Sequence, residues 1–75
     1  MAEKTDWEAR AANVLKAELK RKGVTYAQLA DRLGDLGIDE REANIRNKLS
    51  RGKFTAAFLL QCLEAIDVSK IDVTN

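Results

Sequence analysis

Thr25-Tyr26-Ala27-Gln28-Leu29-Ala30-Asp31-Arg32-Leu33-Gly34 is the stretch that decides the fold class. Thr25 and Gln28 hold the two positions of a capping box, in which a hydroxyl and an amide satisfy helix-end N–H groups reciprocally. Val24 and Leu29 hold the two positions of a hydrophobic staple around that cap. Leu29, Ala30 and Leu33 share the inner face. A helix therefore begins at Tyr26. Its end has two readings: a stop at Gly34, or a run through Leu36 to a stop at Gly37.

The same punctuation recurs on either side. Upstream, Thr5-Asp6-Trp7-Glu8 reads as a capping box. Trp7, Ala11, Val14, Leu15 and Leu19 then follow at three- and four-residue steps. Lys20-Arg21-Lys22 places cations at the negative end of the helix dipole, and Gly23 supplies the stop. Downstream, Asp39-Glu40-Arg41-Glu42 reads as a third start, with Ile38 and Ala43 as its staple, and Gly52 ends that helix. A fourth helix begins near Thr55. The pattern predicts helices over about 6–22, 26–36, 40–51 and 55–66, followed by a tail over 67–75. Val68, Ile71 and Val73 alternate loosely there, as a short strand or a frayed end.

Composition narrows the function. The 75 residues predict a single domain over 1–75 and include no His, no Pro and one Cys. A chain this short buries about 60% of its unfolded surface, so its stability margin is thin. One Cys makes no internal disulfide, and without a Cys/His cluster a structural zinc site is excluded. Lack of His removes the commonest general base and with it the usual nucleophilic triads. We therefore expect no enzyme, no metal, no cofactor and no small-molecule ligand. No apolar run is long enough to span a membrane, and the N-terminus lacks a signal-peptide core. The expected location is the cytoplasm.

Net charge is only +1, yet the charge is unevenly placed. Residues 41–53 carry five cations (Arg41, Arg46, Lys48, Arg51 and Lys53) against one carboxylate, Glu42. On the third helix, Ile45 and Leu49 point inward. Asn44, Asn47, Lys48 and Arg51 form one outward stripe, extended by Arg41. An Asn amide reads adenine and Arg or Lys reads the guanine edge, while other cations reach phosphates. The plainer reading of the same stripe is a solvated face. Asp35, Asp39, Glu40 and Glu42 near the start of this helix suit its dipole but oppose phosphates.

The fourth helix is apolar on nearly every side, with Gln61 and Glu64 its only polar residues between Ala56 and Ile66. An apolar face in excess of what a small core can cover predicts a dimer interface of Phe58, Leu59, Leu60, Leu63, Ile71 and Val73. The alternative is a core helix with a few exposed leucines. Cys62, Trp7 and Phe54 read as packing residues. Tyr26, in the first turn of its helix, either bonds a phosphate or packs on the first helix.

Taken together, Thr25 to Gly34, then Ile45 to Leu49 with Ser50-Arg51-Gly52-Lys53, then Leu59 to Val68, resemble the Cro/lambda-repressor-like helix-turn-helix family. The resemblance covers about residues 12–68. It implies an all-α, four-helix lambda-repressor-like helix-turn-helix domain with a short extended C-terminal tail. It also implies a homodimer on a pseudo-palindrome of double-stranded DNA, with half-sites about 34 Å apart. By position, the resemblance matches Glu42, Ala43 and Asn44 to the base-reading start of the recognition helix, Asn47 and Lys48 to its next turn, Tyr26 to a phosphate contact, and Arg51 and Lys53 to the backbone-contacting turn. With the charge stripe, the expected base contacts are Arg41, Asn44, Asn47 and Lys48, and the expected phosphate contacts are Tyr26, Gln28, Arg46, Arg51 and Lys53. The chain departs from the family in a longer segment between Leu33 and Asp39, in the four-residue spacing of Ile45 and Leu49, and in lacking a fifth helix. The register of the third helix is thus open by one residue.

The expected function is a sequence-specific DNA-binding transcriptional regulator, a repressor. The rival expectation is a protein-interaction module of the same fold that binds RNA polymerase, a larger regulator or a toxin.

Overall fold

The Thr25 capping box forms. Thr25 Oγ1 accepts from the Gln28 N–H at 3.1 Å, and Gln28 Oε1 accepts from the Thr25 N–H at 2.9 Å. Val24 and Leu29, the staple pair, are both buried. The computed structural model describes residues 4–73, with side chains from Trp7 onward. Over that range the chain is all-helical: α1 (Lys4–Lys22), α2 (Tyr26–Asp35), α3 (Glu42–Arg51) and α4 (Ala56–Ala65). No strand occurs among the described residues.

Helix ends correct the sequence reading in three places. Thr5 lies inside α1, which already includes Lys4, so it is not the cap; its side chain lies outside the described residues. Asp39 does not cap α3 either. The helix begins at Glu42, and its N-cap, Arg41, makes no side-chain cap bond. A long-range pairing prevails over the local one here: the Glu40 carboxylate is held by Lys48 Nζ at 2.6 Å, and Arg41 stays extended. Ala43 is exposed, so the Ile38–Ala43 staple is absent, and Ile38 packs on the core instead. Conversely Thr55, expected only to stand near a helix start, is a true cap, its hydroxyl accepting from the Phe58 N–H at 2.9 Å.

Of the two ends open for α2, the later one is correct. Leu36 is its C-cap, and Gly37 follows at φ +83°. The Gly37 and Ile38 N–H groups donate to the carbonyls of Gly34 and Leu33, closing a Schellman motif. The end of α4 uses the same motif without a glycine: Asp67 takes φ +61°, and the Asp67 and Val68 N–H groups donate to Glu64 and Leu63. Lys22 Nζ and Arg32 Nη1 donate to the carbonyls of Asp67 and Ala65, so α1 and α2 each bring a cation to the negative end of α4.

α3 and α4 each pack across both α1 and α2. Leu15, Leu29, Leu33, Ile45, Leu49, Cys62 and Ile66 are the fully enclosed side chains. Enclosing one Leu or Ile contributes about 2 kcal/mol before conformational entropy is counted. No buried side-chain nitrogen or oxygen among the described residues lacks a partner. Gly52 holds α3 against α1. It sits at φ +71°, and a Cβ there would overlap the carbonyl of Glu8. The tail is an irregular stretch whose Val68 and Ile71 lean on the core; Thr74 and Asn75 lie outside the described residues.

Candidate functional site

The burial of Ile45 and Leu49 determines which side of α3 meets water. Opposite them, Ala43, Asn44, Asn47, Ser50 and Arg51 are exposed, with Asn47 near the centre of that face. The side chains of Arg41, Asn44, Asn47, Arg51 and Lys53 make no hydrogen bond or ion pair among the described residues. Two amides and one cation are therefore free on the outward face of α3, with Arg41 and Lys53 free just before and after the helix.

The flanks of α3 are different. Lys48, placed on the outward stripe by its spacing, is half-buried at the edge. Its Nζ lies 2.6 Å from Glu40 Oε2 and 4.3 Å from the centre of the Phe58 ring. The ring draws the ammonium inward and the carboxylate fixes it there. On the other flank Arg46 pairs with Glu42 at 2.6 Å, and its guanidinium stands 5.7 Å from the Tyr26 ring. Gln28 spends its amide oxygen on the capping box, which leaves its NH2 group as the outward donor.

Tyr26 links α3 to a part of the surface that the spacing arguments passed over. A shallow notch of about 290 Å³ runs from Tyr26 and Thr25 to Lys16 and Lys20 on α1. Both lysines are exposed. Their four-residue spacing on the solvent side of α1 was visible in the sequence. Only the tight turn at Gly23 brings them beside the start of α2.

A second surface lies between α1, α4 and the tail. One groove of about 300 Å³ is lined by Trp7, Arg10, Ala11, Val14, Leu59, Ile71 and Val73. A second depression, of about 350 Å³, is lined by Leu60, Leu63, Glu64, Val68, Ser69 and Ile71. The expected dimer set needs correction here. Phe58 and Leu63 are 3% and 6% exposed, because α4 turns both into its own core. Leu59 and Ile71 are half-buried, whereas Leu60 and Val73 are 66% and 61% exposed. Trp7, read as a packing residue, is 63% exposed with Arg10 stacked 4.7 Å from its ring.

Residues 7–71 match a family model described as "Domain of unknown function (DUF6471)". The chain belongs to the DUF6471 family. No curated protein and no solved structure matches it.

The matched span holds both surfaces of the DUF6471 domain except Val73, which lines the groove beside Trp7 just past its end. Its lone thiol is not part of either. Cys62 is enclosed in the core, and burial pushes its pKa from 9.0 up to about 12, with the Glu40 charge adding to the rise and Lys48 opposing it. At neutral pH it is a protonated, unreactive packing group. Among the described residues of the DUF6471 domain no acid, Cys or His cluster of three or more is placed to hold a metal. Among the described residues no helix is long and apolar enough to cross a membrane.

Proposed function

We propose that this DUF6471 domain is a sequence-specific regulator of transcription that binds double-stranded DNA as a dimer and acts as a repressor. In this reading α2 and α3 form a helix-turn-helix of the Cro/lambda-repressor-like kind, and α3 enters the major groove. The observation that carries it is the outward face of α3, where Asn44 and Asn47 stand free between the free cations Arg41, Arg51 and Lys53. Free amides suit adenine edges, and free guanidinium and ammonium groups suit guanine edges and phosphates. Tyr26, Lys16 and Lys20 extend the phosphate-facing surface along the notch, and the exposed Gln28 adds its NH2 group from α2. The connection between α2 and α3, residues 36–41, is longer than the three- or four-residue turn usual for the motif.

Selection of bound duplexes from random-sequence DNA tests the reading. An enriched pseudo-palindrome with half-sites about one helical turn apart is the expected result. Absence of enrichment by folded protein would overturn it.

A second reading has its own support. Glu42 and Glu40 each neutralise a cation of α3, which lowers the positive field of that helix. This favours a protein partner over DNA. Retention on heparin at moderate salt separates the two, since only the DNA reader is expected to stay bound.

A further inference from the structure

We propose that the apolar surface between α1, α4 and residues 68–73 is occupied by the same surface of a second copy of this chain, arranged about a two-fold axis that passes beside Ile71. This deepens the dimer in the functional reading above: it keeps Leu59, Leu60, Leu63, Ile71 and Val73 of the set that the sequence suggested, drops Phe58 and adds Trp7 and Arg10 of α1.

The surface is continuous. The groove beside Trp7 and the depression beside Leu60 share Ile71 as their common wall. Each has a large apolar side chain at its margin, Trp7 at one and Leu60 at the other, and both project into water. A knob next to a hole is what a two-fold interface needs, because each copy then supplies what the other lacks. Trp and Arg are also the residue types that anchor such interfaces most often.

The charges are self-complementary in the same sense. Arg10 stands at the Trp7 end, and Glu64 lines the far depression, with Asp67 in the recess adjoining it. Rotation by a half-turn exchanges the two ends, so each Arg10 meets the acidic end of its partner. A small apolar ligand would fill one depression and leave the other, together with Leu60, in water. A second copy covers both.

The test is analytical ultracentrifugation of the full chain over a range of micromolar concentrations, with the emission of Trp7, the single Trp, followed in parallel. No DNA is present, so failure here is distinguishable from failure of the DNA-binding reading. The expected result is a monomer–dimer equilibrium in which Trp7 emission shifts to shorter wavelength as the dimer forms. Leu60→Arg, an exposed site whose change leaves the helical circular dichroism intact, abolishes the dimer. Arg10→Glu raises the dimer Kd by roughly a hundredfold, since the two-fold loses the anchor from both copies, and Glu64→Arg added to it restores association. A folded chain that stays monomeric throughout overturns the proposal. So does a dimer indifferent to both Leu60→Arg and Arg10→Glu, or a Trp7 shift produced only by an aliphatic carboxylate such as decanoate.

Discussion

The Lys48 ammonium lies 2.6 Å from the Glu40 carboxylate, eight residues back along the chain, and over the face of the Phe58 ring, 4.3 Å from its centre. This contact removes a cation from the outward face of α3 and holds the segment before α3 extended. Only 13% of the Glu40 side chain is exposed, so the pair is shielded better than a typical surface ion pair.

Lys48→Ala is therefore expected to act on stability first. It leaves Glu40 without its partner and uncovers Phe58, a loss of about 1 kcal/mol, readable by urea denaturation. Glu40→Gln is expected to act on DNA instead: it releases Lys48 and removes a negative charge beside α3, tightening binding to specific and random duplexes alike at low salt. Unchanged binding by Glu40→Gln would place Lys48 outside the DNA surface.

Gly52 has two reasons to be glycine, and substitutions separate them. Gly37→Ala meets open space and carries only the strain of positive φ, about 1 kcal/mol. Gly52→Ala carries that strain and also drives a methyl into the Glu8 carbonyl. A loss of roughly 3 kcal/mol is expected, the scale of overpacking added to backbone strain, seen as a much larger fall in Tm than for Gly37→Ala. Equal falls would show that α3 and α1 do not approach closely at this point.

The caps can be ranked in the same way. Thr25→Ala and Thr55→Ala each remove a hydroxyl that accepts a helix-end N–H and are expected to cost about 1 kcal/mol. Asp39→Ala is expected to change thermal stability by much less, since Asp39 caps nothing. A substantial loss at Asp39 would restore the earlier start for α3.

On the DNA-binding reading, Asn47→Ala weakens binding to the selected site by about 1–3 kcal/mol and leaves random DNA unaffected. Lys53→Ala weakens both equally. With Lys16, Lys20, Arg41, Arg51 and Lys53 each on one phosphate, a dimer neutralises about ten, and log K falls with log salt at a slope of about −9. A flat salt dependence would exclude the model.

Cys62 sets an alkaline limit. Its folded pKa of about 12 lies above the 9.0 of an exposed thiol. The unfolded chain releases the thiol proton first, so this contribution is whole below pH 9 and is lost as pH rises toward 12. Between those values wild-type stability should fall faster than that of Cys62→Ala, by up to about 1.4 kcal/mol per pH unit. Parallel curves for the two proteins would show that the thiol is not held neutral.

Four helices were legible in the sequence because their signals are local. Thr25 with Gln28, Val24 with Leu29, and the glycines after three of the helices lie within a few residues of the groups they satisfy. Ile45 and Leu49 likewise set the inward side of α3 from spacing alone. The free amides of Asn44 and Asn47 were legible for that reason. On α3 and the segment before it, the misread features were those in which a partner beyond the next turn competes with a near one. Asp39 had the right spacing for a cap, but Glu40 found Lys48. Lys48 had the right spacing for the stripe, but Phe58 on α4 and Glu40 drew it aside.

By itself, then, the sequence determined the all-helical class, the helix order and the inward face of each short amphipathic segment, because capping and periodicity act over one or two turns. Tertiary packing decided which apolar residues remain on the surface and which cations remain free. Phe58 and Leu63 are enclosed and Trp7 is left in water only because α1 and α2 close over one side of α4 and not the other. Burial and long-range ion pairing depend on where helices cross, and no local spacing encodes that position.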